Sequence, residues 1–499
     1  MAHRPGKEIL QTRRVFVVIL ALGLFAMAAR NVVDPDVWWH LKTGQLTLAN
    51  HAVFRTDPYS FTRAGQPWVN HEWLFDVLLF ALYRAGGWGP LIVIFAGIIA
   101  ASFMLVFLRC AGRPYIAGIV TLWAALASAP LWGVRPQMIS LLLASAVLVL
   151  RDGAEANPRL WWWMVPMMLL WVNLHAEYAL GIALLAAFLA GDALDAMFGF
   201  TTWPKAVPRL RRLAVVLLAC VAVVPLNPYG LKMYSYPLAT LRSTSMQRYI
   251  VEWFSPDFHK ASYLPLLLFL LASLAAVALS GRFVDSGRSA DGTKTRPGEL
   301  LLLCAAIFAA LLSVRHIPIY LLVAAPPLSA AMESWRLSRA SGLRVQSQAA
   351  PAPGKSVLNA GLLAVCLCLA VLRVRDVISH QPQAESRSFP AGAVSFLRAH
   401  PPNGPTFNSY DWGGYFIWKL YPQQRVFIDG RADVYGDTFL AQYAHTLNAT
   451  DNWREPLQRW QISTVVVPPD TPLLAALQAN RSWKTVYADG RAVVVCRLP

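Results

Sequence analysis

Two carboxylates stand two residues apart in the stretch RNVVDPDVWWHLKTG, residues 30–44, which directly follows an apolar run. They belong to Asp34 and Asp36, and paired acids suit a general base or a divalent cation with oxygen ligands, such as Mg²⁺ or Mn²⁺. A single Asp-x-Asp motif is a weak signal, because Asp34 could equally cap a helix that begins near Val37. The two acids are therefore a candidate catalytic pair or a candidate metal site.

Three ring-bearing side chains follow the acids, namely Trp38, Trp39 and His40. Aromatic faces suit sugar rings, and tryptophan also anchors helices at the boundary between membrane and water. We hypothesise that the three side chains form a wall that holds a sugar and excludes water. Membrane anchoring is the alternative interpretation of the two tryptophans.

The composition is that of a membrane protein. Of the 499 residues, 56% are hydrophobic and 14% are charged, whereas roughly a quarter of the residues of soluble proteins are charged. Apolar runs of about 15–21 residues, close to the length that crosses a bilayer, recur along the chain. We predict an all-α polytopic membrane region with about eleven transmembrane helices. The predicted spans lie near 15–29, 88–108, 115–131, 136–150, 160–174, 177–197, 212–226, 262–280, 299–314, 317–333 and 356–372.

The basic residues predict an orientation. More than half of the Lys and Arg residues of 1–387 fall in loops between apolar runs, at 1–14, 109–114, 151–159, 199–211, 281–298 and 334–355. Such loops face the cytoplasm, so the N-terminus is expected inside and, with an odd number of spans, the C-terminus outside. The net charge of +17 therefore does not indicate a nucleic-acid partner, because basic loops that set the orientation contribute to it. The apolar segment Trp73–Tyr83 is too short to cross and is expected to be an interfacial or re-entrant helix; if it crossed, the parity would change.

The C-terminal region has a different pattern. Its apolar runs are short, as in ISTVVVPP and WKTVYADGRAVVVCRL, and they alternate with helix-like stretches. We predict a transmembrane domain at 1–387, with a first outer loop at 30–87, and a small extracytoplasmic α/β domain at 388–499.

Further polar residues fall on the same predicted side of the membrane as the paired acids. They are His71, Glu72, Arg135, Asn173, His175, Arg315 and His316. Ionisable side chains at a membrane boundary are costly and usually line a cavity or pathway. Each one also has an ordinary interpretation: Asn173 could bond between helices, His175 could be structural, and both arginines could extend to the interface. Their common placement predicts one polar site on the outer face.

Two outward-facing arginines suit a phosphate, because the guanidinium fork matches phosphate oxygens and stays charged. Their place at the membrane boundary favours a phosphate attached to a lipid. Together with the acids and aromatic side chains, they indicate transfer of a sugar from a lipid phosphate to an acceptor outside the cytoplasm.

The arrangement resembles the GT-C superfamily of membrane glycosyltransferases, which use polyprenyl-phosphate-linked donors and carry an acidic motif directly after the first span. Distantly, it resembles the oligosaccharyltransferase catalytic subunits. The stretch SYDWGGY, with Asp411, is similar to part of their WWDYG motif but lacks its Trp-Trp pair and its order, so recognition of a peptide sequon is not carried over. The motifs DPDxWWH, HEW, NLH, NPYG and YDWGGY also resemble a family of bacterial membrane proteins.

The resemblance implies a hexosyl or pentosyl transferase of the bacterial plasma membrane, with a polyprenyl-phosphate sugar, the bilayer and an extracytoplasmic acceptor as partners. Asp34 and Asp36 match the position of the superfamily's catalytic acids. We expect Asp36 to be the base, because Pro35 fixes the chain between the acids, and Asp34 to hold a metal or orient its neighbour. In RVFIDGRADVYGD, Asp429 and Arg431 at a predicted strand end could contact the acceptor or form a salt-bridged turn.

Two other functions remain open. A non-enzymatic transporter of lipid-linked glycans, or a partner of a ligase, should show internal repeats and polar residues through the membrane depth, and neither is clear. A membrane scaffold with a ligand-binding C-terminal domain would leave the first-loop acids without a role.

Overall fold

The structure is a computed structural model that describes residues 12–284, 296–339 and 353–498. Most of the predicted basic loops at 1–14, 281–298 and 334–355 lies outside the described residues. The first part of the chain is helical. Its helices are α1 (Thr12–Ala28), α2 (Val37–Asn50), α3 (Trp73–Gly86), α4 (Trp88–Arg109), α5 (Pro114–Ser128), α6 (Gln137–Ala154), α7 (Met164–Leu174), α8 (Tyr178–Met197), α9 (Trp203–Val223), α10 (Lys232–Arg242), α11 (Thr244–Tyr249), α12 (Leu264–Val284), α13 (Pro297–Leu312), α14 (Ile317–Arg339) and α15 (Pro353–Ser388).

Short helices and four strands follow. They are α16 (Ala391–Ala399), β1 (Thr406–Asn408), α17 (Gly413–Leu420), α18 (Ala432–Tyr435), α19 (Asp437–Leu447), α20 (Arg454–Arg459), β2 (Thr464–Val467), α21 (Pro472–Gln478), β3 (Trp483–Ala488) and β4 (Val493–Arg497). The prediction of a helical membrane region followed by a small mixed region is confirmed.

Each predicted span coincides with one of the helices α1, α4–α9 and α12–α15. Within the described residues, seven helical segments are long and apolar enough to cross a membrane, and the apolar helix α13 is shorter. The seven are Trp88–Arg109, Pro114–Leu131, Gln137–Ala154, Tyr178–Met197, Ala261–Leu279, Val314–Arg339 and Ser356–Ser388. The protein is therefore a multi-pass membrane protein. Helix α3 has 14 residues, about 21 Å of length, which is short of a bilayer core of about 30 Å.

Local sequence explains where several helices begin and how closely they pack. Helices α5 and α13 each begin with a proline, whose missing N–H would be unbonded in the first turn in any case. Helices α8 and α13 cross at a pair of glycines, and a Cβ atom on Gly298 would stand 2.8 Å from the carbonyl oxygen of Gly191. Small residues at such crossings let helix backbones approach closely.

The four strands form one sheet in the order β1-β2-β4-β3. Strand β1 pairs with β2 in parallel, and the other two pairs are antiparallel. Side chains alternate between the two faces: Val466 and Val494 pack into the large core shared with the membrane helices, whereas Val465 and Val495 pack into a second core. The sheet is thereby attached to the helical region through one face.

The expected strand in RVFIDGR is absent from this sheet. Instead, Val426 forms an isolated parallel bridge with Ser60 of the first loop, residues 30–87. The backbone N–H of Val426 donates to the carbonyl of Tyr59 at 3.1 Å. The segment therefore satisfies its backbone groups on the first loop and not in the sheet.

Candidate active site

The paired acids lie where the first loop enters α2. Asp36 occupies the N-cap position of α2, but its side chain makes no capping hydrogen bond. Its Oδ1 atom accepts a hydrogen bond from Nε1 of Trp39 at 3.0 Å, and its backbone N–H donates to Oδ1 of Asp34 at 2.9 Å. The Asp36 carboxylate is thus oriented by Trp39 and is not used to cap the helix.

Asp36 has an unusual acidity. Burial, reinforced by the negative charge of Asp34, raises the pKa of Asp36 to about 7, although His40, Trp39 and Arg135 oppose the shift. A carboxyl group with this pKa is present in both its protonated and its ionised form near neutral pH. That property suits a group that takes up and releases a proton during a reaction.

Arg135 joins the first loop to a distant loop. Its Nε atom lies 3.1 Å from Oδ2 of Asp34, and its Nη2 atom forms an ion pair with Oε1 of Glu252. Burial alone would lower the pKa of Arg135, but the two carboxylates raise it above the usual value. The guanidinium therefore stays charged in a half-buried position between two acids.

A second arginine lies at the turn before α14. Arg315 donates from Nε to Oε1 of Glu177 at 2.8 Å and from Nη2 to Nε2 of His175 at 3.2 Å. The other ring nitrogen of His175 lies 2.7 Å from the hydroxyl of Ser140. Burial would raise the pKa of Glu177, but His175 and Arg315 lower it below the usual range. The Glu177 carboxylate is therefore ionised and fixes the guanidinium in place.

Glu72 links this pair to the first loop. Its carboxylate lies 2.8 Å from His71 and 3.5 Å from both His175 and His40. Burial opposes ionisation, but the charge and hydrogen bond of His71, aided by His175 and His40, lower the pKa of Glu72 to about 2. His40 in turn lies 2.5 Å from Oδ1 of Asp76. A continuous network of ionisable side chains thus runs from Arg315 to Asp76.

The structure places other predicted site residues outside this network. Trp38 is fully buried and packs edge-on against Trp88, Phe389 and Tyr415, so its ring offers no surface to a sugar. Trp39 stacks on His40 at 3.6 Å and stays beside Asp36.

Three further residues of the predicted site, Asn173, His316 and Asp411, lie apart from the paired acids. Asn173 accepts a hydrogen bond from Nε1 of Trp73 at 2.9 Å and so joins α7 to α3. The Nδ1 atom of His316 has no hydrogen-bond partner within the described residues. Asp411 is exposed in a short turn before α17. None of the three touches Asp34 or Asp36 through a contact in the described structure.

Asp429 and Arg431 form a buried ion pair. Arg431 donates to Oδ2 of Asp429 and to Oδ1 of Asp57, each at 2.7 Å, and both partners are fully buried. Its guanidinium also lies over the rings of Tyr59 and Trp68, at 4.9 and 4.5 Å. These groups attach the C-terminal region to the first loop, and the buried side chains of Asp429 and Arg431 leave no surface for an acceptor.

Glycines bring the C-terminal region against the paired acids. A Cβ atom on Gly414, in the SYDWGGY stretch, would stand 2.5 Å from the carbonyl oxygen of Pro35. A Cβ atom on Gly430 would stand 1.8 Å from Oδ1 of Asp36. Only glycine fits at these two positions without moving the first-loop acids.

Three acids that the structure places at the site, Glu252, Glu177 and Asp76, are not among the site residues predicted from the sequence. Glu252 and Glu177 lie in the polar loop stretches EWFSP and HAEY. The sequence therefore shows that both acids lie in loops, but it does not show which arginines they pair with. Asp76 is a lone acid in the apolar helix WLFDVLLF, and an ionisable residue in such a helix is a functional candidate by default. That signal could have identified it.

The donor set does not fit the metal expected at the paired acids. Oδ1 of Asp34 faces the backbone N–H of Asp36, and Oδ2 faces the guanidinium of Arg135. Within the described residues, no group of three or more His, Cys, Asp or Glu side chains is arranged to hold a metal ion. We therefore assign no step to a cation at this site.

No protein-family model matches the sequence, and no curated protein matches it. Solved structures do resemble the fold. The apo oligosaccharyltransferase of Archaeoglobus fulgidus is similar with a TM-score of 0.56 at 12% identity, over 93% of this chain and 70% of that chain. AglB from the same organism, in complex with an inhibitory peptide and a dolichol-phosphate, is similar with a TM-score of 0.56 at 11% identity, over 90% and 68%.

ArnT from Cupriavidus metallidurans, bound to undecaprenyl phosphate, gives a TM-score of 0.49 at 16% identity, over 96% of this chain and 97% of that chain. The two archaeal structures align with almost the whole chain. At identities of 12% and 11%, the alignment shows similarity of fold and not of function. The chain has the fold of the archaeal oligosaccharyltransferase.

Proposed function

We propose that the protein is a membrane glycosyltransferase that transfers a sugar from a polyprenyl-phosphate-linked donor to an extracytoplasmic acceptor. The observation that carries this proposal is the meeting of Asp34, Asp36, Arg135 and the Arg315 network in a chain with the oligosaccharyltransferase fold. The complex of AglB with dolichol-phosphate supports the choice of donor.

In the proposed reaction, Asp36 is the general base. The acceptor hydroxyl or amine attacks the anomeric carbon and gives its proton to the Asp36 carboxylate. The bond between the anomeric carbon and the phosphate oxygen breaks, and its electron pair leaves with the polyprenyl phosphate. A pKa of about 7 lets the carboxylate accept the proton and return it to water afterwards.

Arg315 is the stronger candidate for the donor phosphate, and Arg135 lies beside the same site. Glu177 fixes the Arg315 guanidinium, which also lies 5.6 Å from the ring of Trp253. A fixed guanidinium can bind phosphate oxygens without first being ordered, so less conformational entropy is lost on binding. Each such charge-assisted bond contributes about 1.5–3 kcal/mol.

A nearby cavity fits the lipid part of this donor. It has a volume of about 330 Å³ and is lined mainly by apolar side chains of α3 and α7, with Trp73 and Asn173 at its wall. We assign to it the first isoprenoid units of the polyprenyl chain. The phosphate would then lie towards His175 and Arg315, because His175 follows α7 directly in the chain.

We further propose that this end of the helices faces the outside of a bacterial plasma membrane, with the N-terminus inside and residues 388–499 as an outer domain. Basic residues at predicted inner loops support this orientation. For example, Arg109 at the end of α4 pairs with Asp152 near the end of α6, away from the site.

The test uses the purified full chain in proteoliposomes with a radiolabelled polyprenyl-phosphate hexose or pentose and a cell-envelope acceptor fraction. We expect label to move to the acceptor while polyprenyl phosphate accumulates in equal amount. Movement of the intact labelled lipid across the bilayer, with no transfer, would instead identify a transporter and contradict the proposal.

A further inference from the structure

The guanidinium of Arg135 is surrounded by carboxylates from separate parts of the chain. Asp34 and Asp36 come from the first loop, and Glu252 comes from the turn Val251–Trp253 before α12. Arg135 forms ion pairs with Asp34 and Glu252. Asp36 lies near enough that the charge of Arg135 opposes the rise in its pKa that burial and Asp34 cause.

The loop that carries Glu252 is firmly attached. The hydroxyl of Ser313 donates to the backbone carbonyl of Glu252 at 2.8 Å, and the N–H of Val314 donates to the carbonyl of Phe254 at 2.9 Å. Glu252 is thereby fixed to the turn between α13 and α14. The side chain that contacts Arg135 is therefore carried by a loop whose backbone is held by hydrogen bonds.

Three carboxylates in one place repel one another unless a cation lies among them. Divalent cations serve this purpose with oxygen ligands at about 2.0–2.6 Å. Here the position between Asp34 and Glu252 holds a guanidinium, which is permanently charged and forms an ion pair with each of the two acids. The carboxylate of Asp34 accepts a hydrogen bond from the backbone N–H of Asp36 and forms an ion pair with Arg135, so its negative charge is compensated without a metal.

We propose that Arg135 is the built-in cation of the site and supplies to Asp34, Asp36 and Glu252 the counter-charge that a divalent metal would otherwise supply, so that sugar transfer requires no added metal. Arg135 is then a positioning residue for the base, and Glu252 is its second anchor. The claim about turnover rests on the proposed function, whereas the claim about the cation position does not.

The first test measures manganese binding to the purified full chain and the shift of its melting temperature with manganese, without any assay of activity. We expect the wild-type chain to bind no manganese at these acids. Arg135→Ala removes the guanidinium and leaves Asp34, Asp36 and Glu252 uncompensated and free to move together around a cation, so it should gain about one manganese ion per chain and be stabilised by it. Arg109→Ala, which removes an arginine paired with one carboxylate, is the matched control and should gain none.

Two outcomes of this test would overturn the proposal. One is a wild-type chain that binds manganese one-to-one and loses it in Glu252→Gln. The other is a folded Arg135→Ala chain that binds no manganese, since the acids would then not face a shared cation position. If Arg135→Ala does not fold, Arg135→Gln takes its place in the same comparison.

The second test measures turnover after treatment with a chelator. We expect the wild-type rate to stay within about twofold, because the charge-neutralising group is covalently part of the chain. A chelator-sensitive rate that Mg²⁺ or Mn²⁺ restores would overturn the proposal while supporting the glycosyltransferase function. Absence of transfer under all conditions would contradict the proposed function alone, and the binding test would still decide the role of Arg135.

Discussion

Gly430 lies directly against the carboxylate of Asp36: a Cβ atom at position 430 would stand 1.8 Å from Oδ1. The C-terminal region therefore forms part of the wall around the first-loop acid. This contact joins residues almost four hundred positions apart in the sequence. It makes the position of the proposed base dependent on the C-terminal region.

Gly430→Ala should displace the Asp36 carboxylate, because the new methyl group and Oδ1 cannot both keep their places. We expect turnover to fall at least about tenfold, since small displacements of catalytic groups are costly. Gly490→Ala, where a Cβ atom would meet nothing within 4 Å, is the control. Wild-type initial rates in a folded Gly430→Ala protein would show that Asp36 does not need this position.

The pH dependence of transfer should report Asp36. A base acts only in its ionised form, so a pKa of about 7 means that kcat/KM is lost as the pH falls through 7 and levels off above it. An ordinary aspartate, with a pKa near 3.9, would give a flat profile over this range. A flat wild-type profile between pH 5.5 and 8.5 would speak against Asp36 as the base.

Arg315→Lys should weaken binding of polyprenyl phosphate. Lysine keeps the charge but loses the planar fork that Glu177 and His175 fix. Loss of one charge-assisted bond corresponds to a roughly 10- to 150-fold higher Kd. Binding by the purified protein measures this directly, with Arg109→Lys as the control. Equal Kd values in Arg315→Lys and wild type would remove Arg315 from the phosphate site.

Arg431→Met should destabilise the protein and leave the binding of the proposed donor unchanged. It leaves Asp57 and Asp429 buried without their counter-charge, a change that costs about 3–5 kcal/mol. We expect a lower Tm and an unchanged Kd for polyprenyl phosphate in the folded fraction. The exposed Arg425→Met should leave Tm unchanged. A normal Tm together with a weakened Kd would instead place Arg431 in a ligand site.

The membrane helices could be predicted from the sequence because the length of an apolar run is a local property that the bilayer thickness sets. The partners of the charged residues could not be predicted in the same way. Arg135 and Glu252 are far apart in the chain and meet only because two helix-connecting loops fold onto the same end of the helices. Nothing in their local sequence specifies that contact.

The segment RVFIDGR shows a different limit of sequence-based prediction. Its short apolar run predicts a strand, but Val426 forms only an isolated bridge with Ser60 of the first loop and does not pair with the sheet. Asp429 and Arg431 are buried by the same contact. Burial by a distant loop is a tertiary effect that strand propensity does not contain.

The most direct measurement of the central claim compares Asp36→Asn with the wild-type protein at equal levels in the membrane. Asparagine keeps the size of the side chain and an oxygen that can accept the Trp39 hydrogen bond, and it caps helices about as well as aspartate. It cannot accept the acceptor's proton. We predict that the initial rate of sugar transfer from a polyprenyl-phosphate donor falls by about 10²–10⁴-fold. Full wild-type turnover in Asp36→Asn would contradict the assignment of Asp36 as the general base.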